Sequence, residues 1–334
     1  MTSKNGNGYK PVNSPFKWVG GKSRLRKNII PLIPAHTCFV DLFAGAAWVL
    51  FGKPPSQVEV LNDLDGNVIN FFRVVKYKPE ALIESFEWEL VSRAEFKRLA
   101  ELDLTELTDI QRAHRFYYLI MAGWGGELAY PRFQSSITDG GHGNRLFGAI
   151  KTLRSRIEPV HQRLSTVIIE NLDWEACLET YDSATTVFYV DPPYPDNKCN
   201  YAHNMREWET HVRLYERLKR AEAKWLISSY DTPQIREEFK SSAYHIIPIR
   251  SFSGMSTDRS DRQRVENREL VICNFTPSQA LSEPEETSEE DEPTPEVDSK
   301  SDVEMRPQSF IKTQQRRSRA QTQTQTSFVD LFGK

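Results

Sequence analysis

The chain has 334 residues, 39% of them hydrophobic and 11% aromatic, with a formal net charge of −3. That length holds one large domain or two small ones with an ample core, and no apolar run approaches the roughly 18 residues of a membrane helix. The four cysteines, Cys38, Cys177, Cys199 and Cys273, form no C-x-x-C pair, which argues against a zinc site or a disulfide framework and for a reducing, cytoplasmic setting.

The charge is split along the chain. From Glu283 onward there are 12 acids and 7 bases, so the remainder carries a net +2. A mildly basic body permits nucleic-acid binding without establishing it. Residues 1–14 are polar, lack the apolar segment of a signal peptide and are expected to be flexible.

Pro15-Phe16-Lys17-Trp18-Val19-Gly20-Gly21-Lys22 follows. A Gly-Gly step lets backbone approach a ligand closely, and Trp18 and Lys22 flank it as a stacking face and a cation. The phosphate-loop pattern is not met, because its first glycine is missing; the bland reading is an ordinary turn. Thr37–Phe43 reads as a strand that breaks at Ala44-Gly45-Ala46-Ala47 and runs into the helical Trp48-Val49-Leu50-Phe51. Such a small-residue turn leaves room for a cofactor against a helix N-terminus. Val58–Leu61 is a second strand, ending in Asn62-Asp63-Leu64-Asp65. An acid there binds ribose hydroxyls in nucleotide folds or caps the next helix, and Asp63 and Asp65 can divide these tasks.

From Pro79 the pattern turns helical, and Ala122–Asn144 is rich in Gly, Ser and aromatics. A long loop of this kind with interleaved basic and aromatic residues suits a groove that meets DNA; a surface insertion is the alternative. A basic helix over about 149–164, a strand at Thr166–Asn171 and a cap at Asn171–Trp174 lead to Val187-Phe188-Tyr189-Val190-Asp191-Pro192-Pro193-Tyr194. Here a buried strand runs into prolines that end ladder pairing. A carboxylate, an unpaired carbonyl and a ring then project from its carboxyl edge, where ligands bind in open α/β sheets. The Asp191 carboxylate and Pro192 carbonyl would accept the two hydrogens of an exocyclic amino group while Tyr194 stacks on the base. A simple strand-terminating turn is the alternative. Strands at about 225–229, 244–249 and 270–275 complete an α/β sheet interrupted by a helical insert at about 76–165.

Phe16–Lys22, Phe43-Ala44-Gly45, Asp63 and Asp191–Tyr194, in this order, resemble the Dam-type adenine-N6 DNA methyltransferases over about residues 15–276. Arg115–Leu119 and the closing strand Arg268–Asn274 belong to the resemblance. It implies a Rossmann-like S-adenosylmethionine-dependent sheet with an inserted, mainly helical target-recognition domain. Trp18, Lys22, Phe43 and Gly45 would contact S-adenosylmethionine, Asp63 its ribose, and Asp191 and Tyr194 the target adenine, with Asp191 also near the cofactor. Arg115, Tyr117, Trp124 and Arg132 are the candidate contacts to double-stranded DNA. No His/Cys/Asp cluster has metal spacing, so no metal is expected. The family motif runs F-x-G-x-G, and its last glycine is Ala47 here. If that position needs positive φ, alanine is strained by roughly 1 kcal/mol; weaker cofactor binding is the expected limit of the effect.

Residues 277–324 read as an acidic, then Gln-Thr-rich, disordered linker. The end, 325–334, contains Gln325, Phe328, Leu331 and Phe332 at the spacing of sliding-clamp-binding peptides. The expectation is a monomeric, site-specific adenine methyltransferase acting on a flipped base. The alternatives are a silent DNA-binding relative or an enzyme acting on RNA. The flanking bases, and pairing with a restriction enzyme, are not legible.

Overall fold

The computed structural model describes residues 9–123, 131–135, 144–195, 203–252 and 266–277, all within one unit, Met1–Glu285. Trp124 and everything from residue 278 on, including the expected clamp peptide, lie outside the described residues.

Seven strands form one sheet: β1 (Cys38–Asp41), β2 (Val58–Asn62), β3 (Val167–Glu170), β4 (Thr186–Val190), β5 (Lys224–Tyr230), β6 (His245–Phe252) and β7 (Glu266–Cys273), in the order β3-β2-β1-β4-β5-β7-β6. All pairs from β3 to β5 are parallel, whereas β7 runs antiparallel to both β5 and β6. Pro248 sits on the edge strand β6, where a missing ladder donor is tolerated.

Each strand sends alternate side chains to opposite faces. Phe39, Leu61, Val187, Tyr189 and Leu226 join one buried cluster; Val40, Val60, Phe188, Val190 and Trp225 join the other. Both faces are covered, so the strands appear in the sequence as nearly continuous apolar runs. The chain leaves β1 on one side for β2 and returns on the other as β4. The switch point therefore lies between β1 and β4, and the crevice beyond their carboxyl ends is where such a sheet binds ligands.

Between β2 and β3 come the helices Gly66–Tyr77, Pro79–Glu84, Arg93–Ala100, Asp109–Ala122, Arg145–Lys151 and Leu153–Leu164. Asp65 caps the first through the Asn67 N–H, and Thr108 and Gln111 form a capping box on Asp109–Ala122. The insert shares the sheet's core: Phe116 meets Phe16 edge-on at 5.2 Å, and Tyr117 stacks on Phe71 at 5.8 Å.

Residues 9–14, expected to be flexible, are held. The Tyr9 hydroxyl and the Val12 N–H both donate to the Phe51 carbonyl, at 2.8 and 3.1 Å, and Ser14 is buried. A polar composition did not reveal that a helix C-terminus offers these residues an acceptor.

Candidate active site

β4 ends where Pro192 and Pro193 remove two backbone donors. Beyond it, the Lys22 ammonium donates to Asp191 Oδ1 at 2.7 Å and to the Gly20 carbonyl at 3.1 Å, and lies 3.7 Å from Glu269 Oε2. The Tyr194 hydroxyl sits 3.2 Å from both Asp191 Oδ1 and Glu269 Oε2. Its ring lies under the Lys22 ammonium at 4.9 Å and against the edge of Tyr230 at 4.5 Å. Burial pulls the Lys22 ammonium down, but Asp191 and Glu269 outweigh it and leave the pKa raised. Burial likewise pushes the Asp191 carboxyl up, against the pull of Lys22.

At the neighbouring strand ends, a tight turn and an acid are locked together. Gly45 has φ +47°, and a Cβ there would meet the Trp18 indole at 2.9 Å. Its N–H donates to Asp63 Oδ2 at 2.8 Å while the Asp65 N–H donates to Asp63 Oδ1 at 2.8 Å. Burial raises the Asp63 carboxyl to about 6, with those two N–H groups opposing it. Asp41, at the end of β1, is buried with Oδ2 lacking any hydrogen-bond partner. Burial first, then the nearby Asp191 and Asp63, push its pKa well up. Ala47 lies at φ +53°, ψ +35°, the left-handed region that glycine enters freely. The motif's last position therefore does require positive φ, and alanine bears that strain here.

All eight residues assigned from the sequence to cofactor or chemistry line one cavity of about 560 Å³: Trp18, Lys22, Phe43, Gly45, Asp63, Asp191, Pro192 and Tyr194. The DNA-contact residues are not gathered in this way. Tyr117 is fully buried between Phe71 and Phe86, so its expected DNA contact is withdrawn. Arg115 is turned inward, donating to the Leu99 and Ala100 carbonyls at 2.6 and 3.0 Å, where it caps the helix Arg93–Ala100. Arg132 is exposed. Sequence reasoning missed Asp41, Tyr230 and Glu269 in the same cavity. A lone acid in the apolar β1 run was the available signal for Asp41, whereas Glu269 lies in the polar first half of β7 and carries no such signal.

Comparison with known proteins shows the family to which the chain belongs. The profile of the D12 class N6 adenine-specific DNA methyltransferases matches residues 18–255. The chain belongs to that family. The D12-class chain is 26% identical over 281 residues to the type II methyltransferase M1.LlaDCHI of Lactococcus lactis subsp. cremoris, covering 78% of this chain and 95% of the relative. It is 27% identical over 235 residues to the type II methyltransferase M.CviBI of Paramecium bursaria Chlorella virus NC1A, covering 68% and 85%. With the DNA adenine methylase of Escherichia coli (strain K12) it shares 23% over 264 residues, covering 75% and 92%.

This is an adenine-specific DNA methyltransferase on the seven-stranded sheet of S-adenosylmethionine-dependent enzymes. The residues present fit the cofactor. A left-handed Gly45 turn packed against the Trp18 indole, a partnerless buried oxygen on Asp41 and an acid just beyond β2 line one cavity of ligand size. Among the described residues, no helix is long and apolar enough to cross a membrane, and no group of three or more His, Cys, Asp or Glu could hold a metal ion.

Proposed function

We propose that the D12-class enzyme performs its transfer in the crevice between β1 and β4, with Asp191, Pro192 and Tyr194 holding the flipped adenine. The supporting observation is the Lys22–Asp191 contact at 2.7 Å. Among the described residues, both hydrogen bonds to Asp191 fall on Oδ1, which leaves Oδ2 and the Pro192 carbonyl to accept the two amino hydrogens of the base. That pairing draws the amino nitrogen toward tetrahedral geometry and frees its lone pair. Tyr194 packs on the base, offsetting part of the few kcal/mol that extrusion costs.

Trp18, Lys22, Phe43 and Gly45 bind the cofactor, and Asp63 accepts its ribose hydroxyls. Bound there, S-adenosylmethionine supplies a sulfonium-activated methyl group. The protein contributes mainly alignment of donor and acceptor. Residues 15–276 form the methyltransferase domain, and the segment at about 76–165 carries target recognition, with Arg132 and Trp124 at the DNA. The enzyme works as a monomer.

Two variants separate these roles. Asp63→Ala should lose cofactor affinity in a calorimetric titration, while Tyr194→Ala should keep it and lose methyl transfer. Loss of cofactor affinity in both, or in neither, would contradict the division of the site.

The tail supports a second partner. Gln325, Phe328, Leu331 and Phe332 bind a replication sliding clamp, and residues 277–324 act as a tether that raises the local enzyme concentration on newly copied DNA. Full-length protein should be retained on an immobilised clamp and a chain ending before Phe328 should not. Equal retention would dispose of this role.

A further inference from the structure

The backbone at Asp63 is held by a side chain from another loop. β2 and β3 run in register as far as Asn62 and Glu170. Beyond that pair each strand turns toward its own helix, so the backbone groups of the two loops lose their ladder partners. Two asparagine amides take the place of the ladder. Buried Asn62 accepts the Leu172 N–H at 2.9 Å and donates to the Leu172 and Leu42 carbonyls at 3.1 and 3.0 Å. Asn171 returns the contact, its Nδ2 donating to the Asp63 and Leu64 carbonyls at 2.8 and 3.1 Å. Asn171 is exposed, where water can satisfy an amide, yet both of its protons go to backbone 108 and 107 residues away. Its own loop is anchored, because Asp173 caps the helix Trp174–Tyr181 through the Glu175 and Ala176 N–H groups.

We propose that Asn171 is a positioning residue that holds the Asp63 turn in the arrangement able to receive the cofactor's ribose, and so sets cofactor affinity. The proposal rests on Asp63 being the ribose acceptor. Asp63 faces the cavity that Leu42, Leu64 and Leu172 also line. The Gly45 and Asp65 N–H groups fix its carboxylate from one side, and Asn171 fixes its carbonyl from the other. Without that amide the Asp63 and Leu64 carbonyls turn to water, and the loop gains arrangements in which the carboxylate is misplaced. Apparent affinity then falls in proportion to the fraction of molecules still competent. A bound cofactor selects the competent arrangement again, so methyl transfer at saturation is unaffected.

The test is a double-mutant cycle, read by calorimetric titration of the full chain with S-adenosylmethionine, on wild type, Asn171→Ala, Asp63→Ala and the double variant. Asn171 is exposed, so Asn171→Ala should fold as wild type does. It should weaken the cofactor by roughly three- to thirty-fold in the wild-type background. Beside Asp63→Ala it should weaken it by less than about twofold, because its effect passes through that carboxylate. Equal losses in both backgrounds would overturn the positioning role. Wild-type affinity in Asn171→Ala, with Asp63→Ala weakened, would overturn the role of Asn171 alone. Wild-type affinity in Asp63→Ala would overturn the ribose assignment beneath it. Steady-state methylation of duplex DNA gives an independent readout, and it decides the matter if Asp63→Ala binds too weakly to titrate. Asn171→Ala should raise KM for S-adenosylmethionine by the same factor and leave kcat unchanged. A lowered kcat at unchanged KM would contradict the proposal.

Discussion

The Lys22 ammonium and the Asp191 carboxylate, 169 residues apart in sequence, lie 2.7 Å apart at the carboxyl edge of the sheet. This contact fastens the Gly-Gly loop, proposed to touch the cofactor, to the strand end proposed to hold the base. Removing one partner of such a pair leaves the other buried and uncompensated, at a typical cost of 3–5 kcal/mol. Lys22→Met should therefore be destabilised by about 3 kcal/mol in urea unfolding. The pH–rate profile carries the sharper sign. Lys22 holds the Asp191 carboxyl below where burial alone would place it, so its loss raises that pKa. The acid limb of methyl transfer in Lys22→Met should then move to higher pH, and an unmoved limb would contradict the coupling.

Asp63 predicts a pH dependence of cofactor binding. Burial holds its carboxyl at about 6 in the cofactor-free protein. Ribose hydroxyls donate, so they select the ionised form. Affinity should be full above about pH 7 and fall toward tenfold per pH unit below about pH 6. For folding, the sign is the usual one for a raised acid. This group's contribution to stability is present below its unfolded value of 3.8 and is lost as pH rises through about 6. Titration at several pH values between 5.5 and 8 checks the binding claim. Asp63→Asn should bind weakly and without that slope.

Ala47 predicts an inversion of the ordinary substitution order. At φ +53° a branched side chain is penalised more than alanine, and glycine not at all. Ala47→Val should lose about 2 kcal/mol or more. Ala47→Gly should stay within about 1 kcal/mol of wild type, because relief of strain offsets the lost buried methyl. A Val variant as stable as wild type, with Gly worse, would place this residue outside the left-handed region.

Arg115 and Arg132 should part company. Arg115 caps a helix through two carbonyls, so Arg115→Ala should lose about 1–2 kcal/mol of stability and leave the salt dependence of DNA binding unchanged. Arg132→Ala should do the reverse, lowering the slope of log affinity against log salt by about one. Affinities measured on one duplex from 50 to 300 mM salt distinguish them.

The strands and the crevice were legible because their signals are local. Strands buried on both faces read as apolar runs, and Asp191-Pro192-Pro193-Tyr194 ends one of them abruptly. The helix Asp109–Ala122 was harder, since Phe116, Tyr117 and Tyr118 are all fully buried, on different sides. Phe116 meets Phe16, Tyr117 meets Phe71, and the Tyr118 hydroxyl donates to the Leu90 carbonyl. From Phe116 to Ala122 the helix is buried all round, and such a segment has no polar stripe to say which ring faces a ligand. Glu269 was harder still, because only the antiparallel insertion of β7 beside β5 brings it to Lys22 and Tyr194.

The most direct measurement of the central claim is transfer of labelled methyl from S-adenosylmethionine to unmodified duplex DNA, with the modified bases mapped, for wild type and Asp191→Ala. The account predicts N6-methyladenine within one short sequence for wild type and none for a folded, cofactor-binding Asp191→Ala. Full transfer by that variant, or label at a position other than the adenine amino group, would contradict it.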